Sequence, residues 1–292
     1  MSISAPPTRW DHAPVRMTDL SQNASSVRPL VTSASEDLVN GLTKASVSGR
    51  LGWLDIKRRY RRTIIGPFWS AISLMIFVAA LGSIGVGLWN QTASEYIPFL
   101  AAGLVVWILI SSIVTESCTL FITGQNLYRQ MRFDYSVLAY ALVWRNFAVF
   151  LHNLIVYFAC VLFFAPHLLR PVTLLAIPGM AVVLLNGAWI ALFLGVVCLR
   201  FRDLQQFVST MIQIIIFITP IFWPPELLKG MHRLVFVSFN PIFHLIEIVR
   251  APLVGQAPTL ETWVAALIIT AVGWTMTYVF FDKFRKRIAY WA

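Results

Sequence analysis

Four carboxylates between the apolar runs, Glu95, Glu226, Glu247 and Glu261, are the first residues to weigh for chemistry. None falls into the paired arrangement that glycosyl transfer between two carboxylates requires. No Gly-x-x-x-x-Gly-Lys-Ser/Thr phosphate loop occurs, so the chain lacks that route to ATP hydrolysis. Cys118, Cys160 and Cys198 lie in apolar surroundings without ligand spacing, which argues against a disulfide framework and against a metal site. No catalytic residue is expected, and the chain reads as a non-enzyme. Inside the apolar runs ionisable groups nearly vanish, whereas proton-coupled carriers place carboxylates at mid-membrane. Glu116 and His152 are the exceptions. With a rise of about 1.5 Å per helical residue they fall at a similar depth, so they are expected to form a structural pair near one interface, a transport role being the alternative. Glu247 and Arg250 stand three apart and share one helical face. In a dry site the two charges would neutralise each other.

The elements that must position these groups are membrane spans. The chain has 292 residues, 58% hydrophobic and 12% charged, against roughly 25% charged in soluble domains. Its net charge of +10 might suggest nucleic acid, but the cations flank apolar runs, and the bilayer accounts for them better. Five cations occupy the six positions from Lys57 to Arg62, the run stops at Gly66-Pro67, and Phe68–Trp89 then gives 22 residues without a charge. A bilayer core about 30 Å thick needs roughly 20 such residues. Further spans are expected at 97–122, 147–164, 172–199, 207–223 and 263–281. Of 23 Lys and Arg residues, 19 fall on the side of the termini and four, Arg170, Lys229, Arg233 and Arg250, on the other. That bias places both termini in the cytoplasm. The fold class is therefore an all-α polytopic membrane protein with six transmembrane helices.

Residues 1–35 are rich in Ser, Thr and Pro without an apolar h-region, and are expected to be a disordered cytoplasmic terminus rather than a cleaved signal. Residues 36–66 carry an apolar face at Leu38, Leu42, Ala45, Gly49, Trp53, Ile56, Tyr60 and Ile64. Opened by the capping pattern Ser33-x-x-Glu36, this segment predicts one amphipathic interface helix, with Lys57, Arg59 and Arg61 towards headgroups. Residues 67–281 are expected to form the six-span transmembrane domain, and 282–292 a basic cytoplasmic tail. Between the fifth and sixth spans Pro220, Pro224 and Pro225 interrupt helix, and 234–240 and 241–249 are apolar but too short to cross. Re-entrant helices that form an outer gate are expected there, with Asn240-Pro241 at their turn. An ordinary extracytoplasmic loop is the alternative. Trp69, Trp89, Tyr96, Trp144, Trp223 and Trp263 sit near span ends as interfacial belts require. Trp107, Trp189 and Trp274 sit within spans, where belt or core packing competes with lining a path.

Asp55-Ile56-Lys57, Arg59-Tyr60-Arg61, Thr63, Gly66-Pro67 and Trp69 together resemble the start of type-2 ABC exporter permeases, the membrane subunits that export O-antigen, capsule and teichoic acid chains. The likeness continues through Gly103 and Trp107, Arg200-Phe201-Arg202-Asp203, Pro220, Asn240-Pro241, Glu247, Arg250 and Gly255. It departs at Ser73-Leu74 and Phe133-Asp134, where the family often has proline. The resemblance implies an inner-membrane homodimer that binds two copies of a separate ATPase, which holds ATP and Mg; no cofactor is implied in this chain itself. It implies ATPase coupling through the loop 126–145, with Asn126, Tyr128, Arg129, Arg132 and Phe133, and through Arg200, Arg202 and Asp203. The interface helix, with Trp53, Lys57, Arg59, Tyr60 and Arg61, would meet the same ATPase. A channel or gate would draw on Trp107, Trp189, Phe222, Trp223, Asn240, Pro241, Glu247 and Arg250. The implied substrate is a lipid-linked polysaccharide, moved by repeated ATP-driven steps. Export of a lipid or drug by the same class, and more remotely a proton-coupled carrier, remain open on sequence alone.

Overall fold

The computed structural model describes residues 33–66, 68–125, 127 and 134–291, and every regular element among them is helical. Helix α1 spans Ala34–Thr43, α2 Ala45–Tyr60, α3 Phe68–Trp89, α4 Ala93–Ser117, α5 Tyr135–Phe164 and α6 Ala176–Arg200. The shorter α7 (Leu204–Ile218) and α8 (Pro241–Leu253) precede α9 (Leu260–Phe284). Helices α3, α4, α5, α6 and α9 are long and apolar enough to cross a bilayer.

Two expected boundaries are corrected. The fifth span, expected over 207–223, is the 15-residue α7, about 22 Å long and short of the roughly 30 Å core. It stops because Thr219, at φ −82° and ψ 137°, is already extended ahead of Pro220, whose ring disfavours helix in the residue before it. The third span begins at Tyr135, not at 147, and its 30 residues reach about 45 Å. Residues 135–145, expected as loop, are thus its first turns. Of the rest of the expected coupling segment, Asn126, Tyr128, Arg129, Arg132 and Phe133 lie outside the described residues, as do residues 1–32.

The single interface helix expected over 36–66 is two helices broken at Lys44, and it ends at Tyr60. Ser33 Oγ accepts from the Glu36 amide at 3.2 Å, as the capping pattern requires. Helix α2 turns Ser48, Gly52 and Ile56 inward and packs along α5. Trp53 and Leu54 remain exposed on its far side.

Helix α4 is the centre of the bundle. It packs on α3, α5, α6 and α8. Of its most apolar window 67% is buried, against 28% for α3 and 22% for the last span. Helix α7 has no buried residue. Met75, Ile76 and Phe77 of α3 and Phe207, Ile214 and Phe217 of α7 face outward, which suits lipid or a second apolar surface.

The start of α5 is capped from elsewhere in the chain. Asp37 of α1, 1% exposed, accepts from the amides of Tyr135 at 3.2 Å and Ser136 at 2.9 Å, two of the donors a helix leaves free at its first turn. Arg285 Nε stands 3.6 Å from the same carboxylate, and Asp282 Oδ1 accepts from the Ala34 amide at 3.3 Å. Burial pushes the Asp37 carboxyl above its usual range, while the Ser136 hydrogen bonds and the Arg285 charge pull it part of the way back. Asp37→Ala removes both acceptors and is expected to cost about 1–2 kcal/mol of stability, the scale of a lost helix cap. The purified chain should show this as a lower thermal midpoint, with Asp37→Asn closer to wild type. An unchanged midpoint in the alanine variant would remove Asp37 from that role.

Candidate functional site

At the end of the bundle away from α1 and α2, the chain leaves helical geometry after Ile218 and does not resume a long helix until Pro241. Thr219, Pro220 and Ile221 are buried, and irregular backbone away from water needs partners from the protein. Four side chains supply them. Asn240 Nδ2 donates to Thr219 Oγ1 at 3.1 Å and to the Phe236 carbonyl at 3.3 Å. Its Oδ1 accepts from the amides of Ile242 and Phe243 at 3.0 and 3.2 Å, so one residue caps α8 and ties it to the break after α7. The Phe222 carbonyl accepts from the Tyr96 hydroxyl at 2.6 Å and from Trp89 Nε1 at 3.1 Å. Gly85 makes that possible, since a Cβ there would lie 2.1 Å from the Tyr96 ring. As expected, Asn240-Pro241 marks a turn, the helical pieces Gly230–Ser238 and Pro241–Leu253 meeting at 77°. Pro241 occupies the first position of α8, where its missing N–H is not needed.

The fourth side chain is Arg250. It is 1% exposed, the largest fully buried side chain among the described residues. Its Nη1 donates to the Pro220 carbonyl at 2.6 Å and its Nε to Glu247 Oε2 at 2.7 Å. The guanidinium stands 4.2 Å from the centre of the Phe99 ring, close enough for a cation–π contact. The spacing of three thus produces the expected ion pair, and it has a further bond that sequence does not reveal: the cation also holds the irregular segment.

Other expected residues are placed as follows. Phe222 is half-buried, its ring 6.2 Å from that of Phe77 and 5.7 Å from that of Phe217. Trp223 is also half-buried and donates from Nε1 to the Phe217 carbonyl at 3.2 Å. Trp107 is 4% exposed in the core of α4. Trp189 donates to Asn186 Oδ1 at 2.8 Å and lies over Gly273, where a Cβ would come within 2.3 Å of the indole. Arg200, Arg202 and Asp203 form an exposed turn between α6 and α7, the Arg200 guanidinium lying 5.5 Å from the Trp291 ring.

The opposite end carries a second cluster, and there the expected Glu116–His152 pair does not form. Glu116 accepts from Arg59 Nη2 at 2.5 Å, Arg145 Nη2 at 2.6 Å and Asn146 Nδ2 at 2.9 Å. His152 Nδ1 instead meets the Ala148 carbonyl at 2.7 Å, and its ring abuts Phe68. The misreading came from matching depth alone; two arginines outcompete one imidazole for a carboxylate. Arg145 also reaches Asp55 Oδ2 at 2.8 Å, so α2, α4 and α5 are joined by charge beside a cavity of about 600 Å³. Arg59 is therefore partly spent inside the protein, while Trp53, Lys57 and Arg61 are exposed and Tyr60 half-buried. Sequence reading missed Asp37, Arg145 and Tyr96 as organising residues. Nothing in local spacing marks them, because each partner lies at least 29 positions away.

Removing Glu247 leaves the Arg250 charge buried without its counter-ion, the costly way to break such a pair, on the order of 3–5 kcal/mol. Glu247→Gln should therefore lower the thermal midpoint sharply. The double change Glu247→Gln with Arg250→Met should recover part of it, since the orphaned charge goes too. The swap Glu247→Arg with Arg250→Glu should recover little, because glutamate at 250 has no donor for the Pro220 carbonyl. A single Glu247→Gln variant with wild-type stability would contradict this reading of the pair.

A family model described as ABC-2 type transporter matches residues 49–254. Two proteins from Klebsiella pneumoniae, each an O-antigen export system permease protein RfbA, are 26% identical over 243 residues, covering 80% of this chain and 90% of theirs. A Myxococcus xanthus protein of the same name is 22% identical over 198 residues, covering 68% of this chain and 76% of its own. The family match begins within α2, before the cation-rich run, and ends just after α8, so it takes in both clusters described above. With a match of that extent, the chain belongs to the ABC-2 type transporter family.

Proposed function

We propose that the chain is the membrane-spanning subunit of an ATP-driven exporter of lipid-linked cell-surface polysaccharide, of the O-antigen class. The observation that carries this reading is the alignment with O-antigen export permeases over 80% of the chain and 90% of the relative. Membership of the family implies an ABC ATPase partner and a membrane location, and the five long apolar helices agree with the latter. The 19-to-4 split of Lys and Arg between the two sides expected from the sequence supports a cytoplasmic position for both termini.

In this reading two copies pair through outward apolar surface, for which α3, α5, α7 and α9 are candidates because so little of each is buried within one chain. Two ATPase subunits, each with ATP and its magnesium, engage the cytoplasmic end. The segment leading into α5 and the turn Arg200–Asp203 receive the push; α2 carries it to α4 and α5 through Arg59, Glu116 and Arg145. The irregular segment around Pro220 and Phe222, held by Arg250, Asn240, Tyr96 and Trp89, acts as the outer gate. Aromatic side chains such as Phe222 and Trp223 offer flat apolar surface to sugar rings that pass it. A polymer longer than the membrane is thick would move by successive strokes.

The test is deletion of the gene followed by analysis of surface polysaccharide and of lipid-linked intermediates. Loss of the surface glycan with accumulation of its lipid-linked precursor on the cytoplasmic side is expected, both reversed by the wild-type gene. A deletion strain with normal surface polysaccharide and no accumulated intermediate would overturn the reading.

A further inference from the structure

Beside the proposed gate lies a cavity of about 280 Å³, near the lower end of the size range of small-ligand pockets. Glu95, Glu226 and Glu247 put three carboxylates on its wall, Gln91 and Gln256 two amides, and Phe99 an aromatic ring. Four separate stretches of chain contribute: the start of α4, the connection after α5, the segment after α7, and α8 with the residues that follow it. The deepest group on the wall is Arg250, 1% exposed. Two of its nitrogens are bonded to Pro220 and Glu247. The third, Nη2, is in ion-pair contact with the same Glu247 oxygen. A concave site with a few convergent polar groups and an aromatic ring is the form that ligand pockets take.

The charge balance limits what that ligand can be. Three carboxylates face one guanidinium, which Glu247 already neutralises, and His167 is the only other basic group on the wall. Phosphates and other anions would be repelled. A polyhydroxylated ring suits the wall on every count: its hydroxyls donate to carboxylates, which are strong acceptors. They exchange hydrogen bonds in both directions with the amides and leave a C–H face for Phe99. We propose that this cavity is a binding subsite for one neutral or amino sugar unit of the exported glycan. Because Glu247 belongs both to the wall and to the pair that holds Pro220, a sugar in the cavity touches the same residues that hold the gate segment. The inference rests on the polysaccharide reading and gives it a location.

The test uses the full-length chain in lipid nanodiscs and saturation-transfer NMR with glucose, galactose, mannose and N-acetylglucosamine as separate probes and glycerol phosphate as the anionic control. Transfer to at least one sugar and none to glycerol phosphate is expected. The double variant Glu95→Ala with Glu226→Ala removes two exposed carboxylates outside the buried pair. It should keep the thermal midpoint while losing at least threefold of the signal. No transfer to any of the four sugars, or a signal unchanged in the double variant, overturns the subsite. The two readings fail separately. A deletion strain with intact surface glycan sinks the export function whatever the sugars do, and a glycan defect without sugar transfer sinks only the subsite.

Discussion

A guanidinium buried to 1% exposure in an apolar bundle is the constraint on which the far end of this protein depends. Burying such a charge is unfavourable unless it is paired and its donors are used. Arg250 is paired with Glu247 one helical turn back, faces the Phe99 ring, and uses Nη1 to hold the Pro220 carbonyl. The chain abandons helix at Thr219 because proline follows, and its carbonyls must then find donors in side chains. Arg250 answers one of them, Tyr96 and Trp89 answer Phe222, and Asn240 answers Thr219 while capping α8. The irregular segment therefore has one defined position, fixed by hydrogen bonds to α3, α4 and α8 together with the fully buried side chain of Ile221. A segment so held can be released by breaking a few bonds at once, which is what a gate requires.

The other end is organised by charge of the opposite kind. There the central group is the Glu116 carboxylate, drawn between Arg59 of α2 and Arg145 of α5. Helix α4 thus carries Glu116 near one end and Phe99, Tyr96 and Gly103 near the other, and it is the most buried of the spans. A displacement of α2 would be felt by α4 directly through the 2.5 Å Arg59–Glu116 pair, and by way of α5 through Arg145, which reaches Asp55 at 2.8 Å and Glu116 at 2.6 Å. Packed interiors transmit such shifts because they have little free space to absorb them. The same helix therefore links the Glu116 charge cluster to the residues that hold the irregular segment.

How much of this was legible in the sequence follows from the range of the interactions. Phe68–Trp89 is readable because 22 uncharged residues after a cationic run allow little else. Asn240-Pro241 and the Glu247–Arg250 pair are readable because cap and partner lie within four residues. The span over 207–223 was misjudged because hydropathy counts Ile221, Phe222 and Trp223 as helix formers, although Pro220 had already ended the helix. The start of α5 was placed too late because Arg145 reads as a loop charge, whereas it is a helical residue turned towards Asp55 and Glu116. Asp37 as the cap of α5, Tyr96 on Phe222 and Arg250 on Pro220 join residues 99, 126 and 30 positions apart. Such contacts exist only once the bundle has assembled, and no local pattern announces them.

The most direct measurement locks the segment and asks whether export stops. Phe77 of α3 and Phe222 have ring centres 6.2 Å apart, so cysteines at both positions, in a background with Cys118, Cys160 and Cys198 replaced, can be joined by a short thiol crosslinker. If the segment around Phe222 moves to pass the glycan, crosslinked cells should lose export while the uncrosslinked double variant retains it, and a reducible linker should restore export on cleavage. Undiminished export with the two positions fully joined would contradict a gate at this segment.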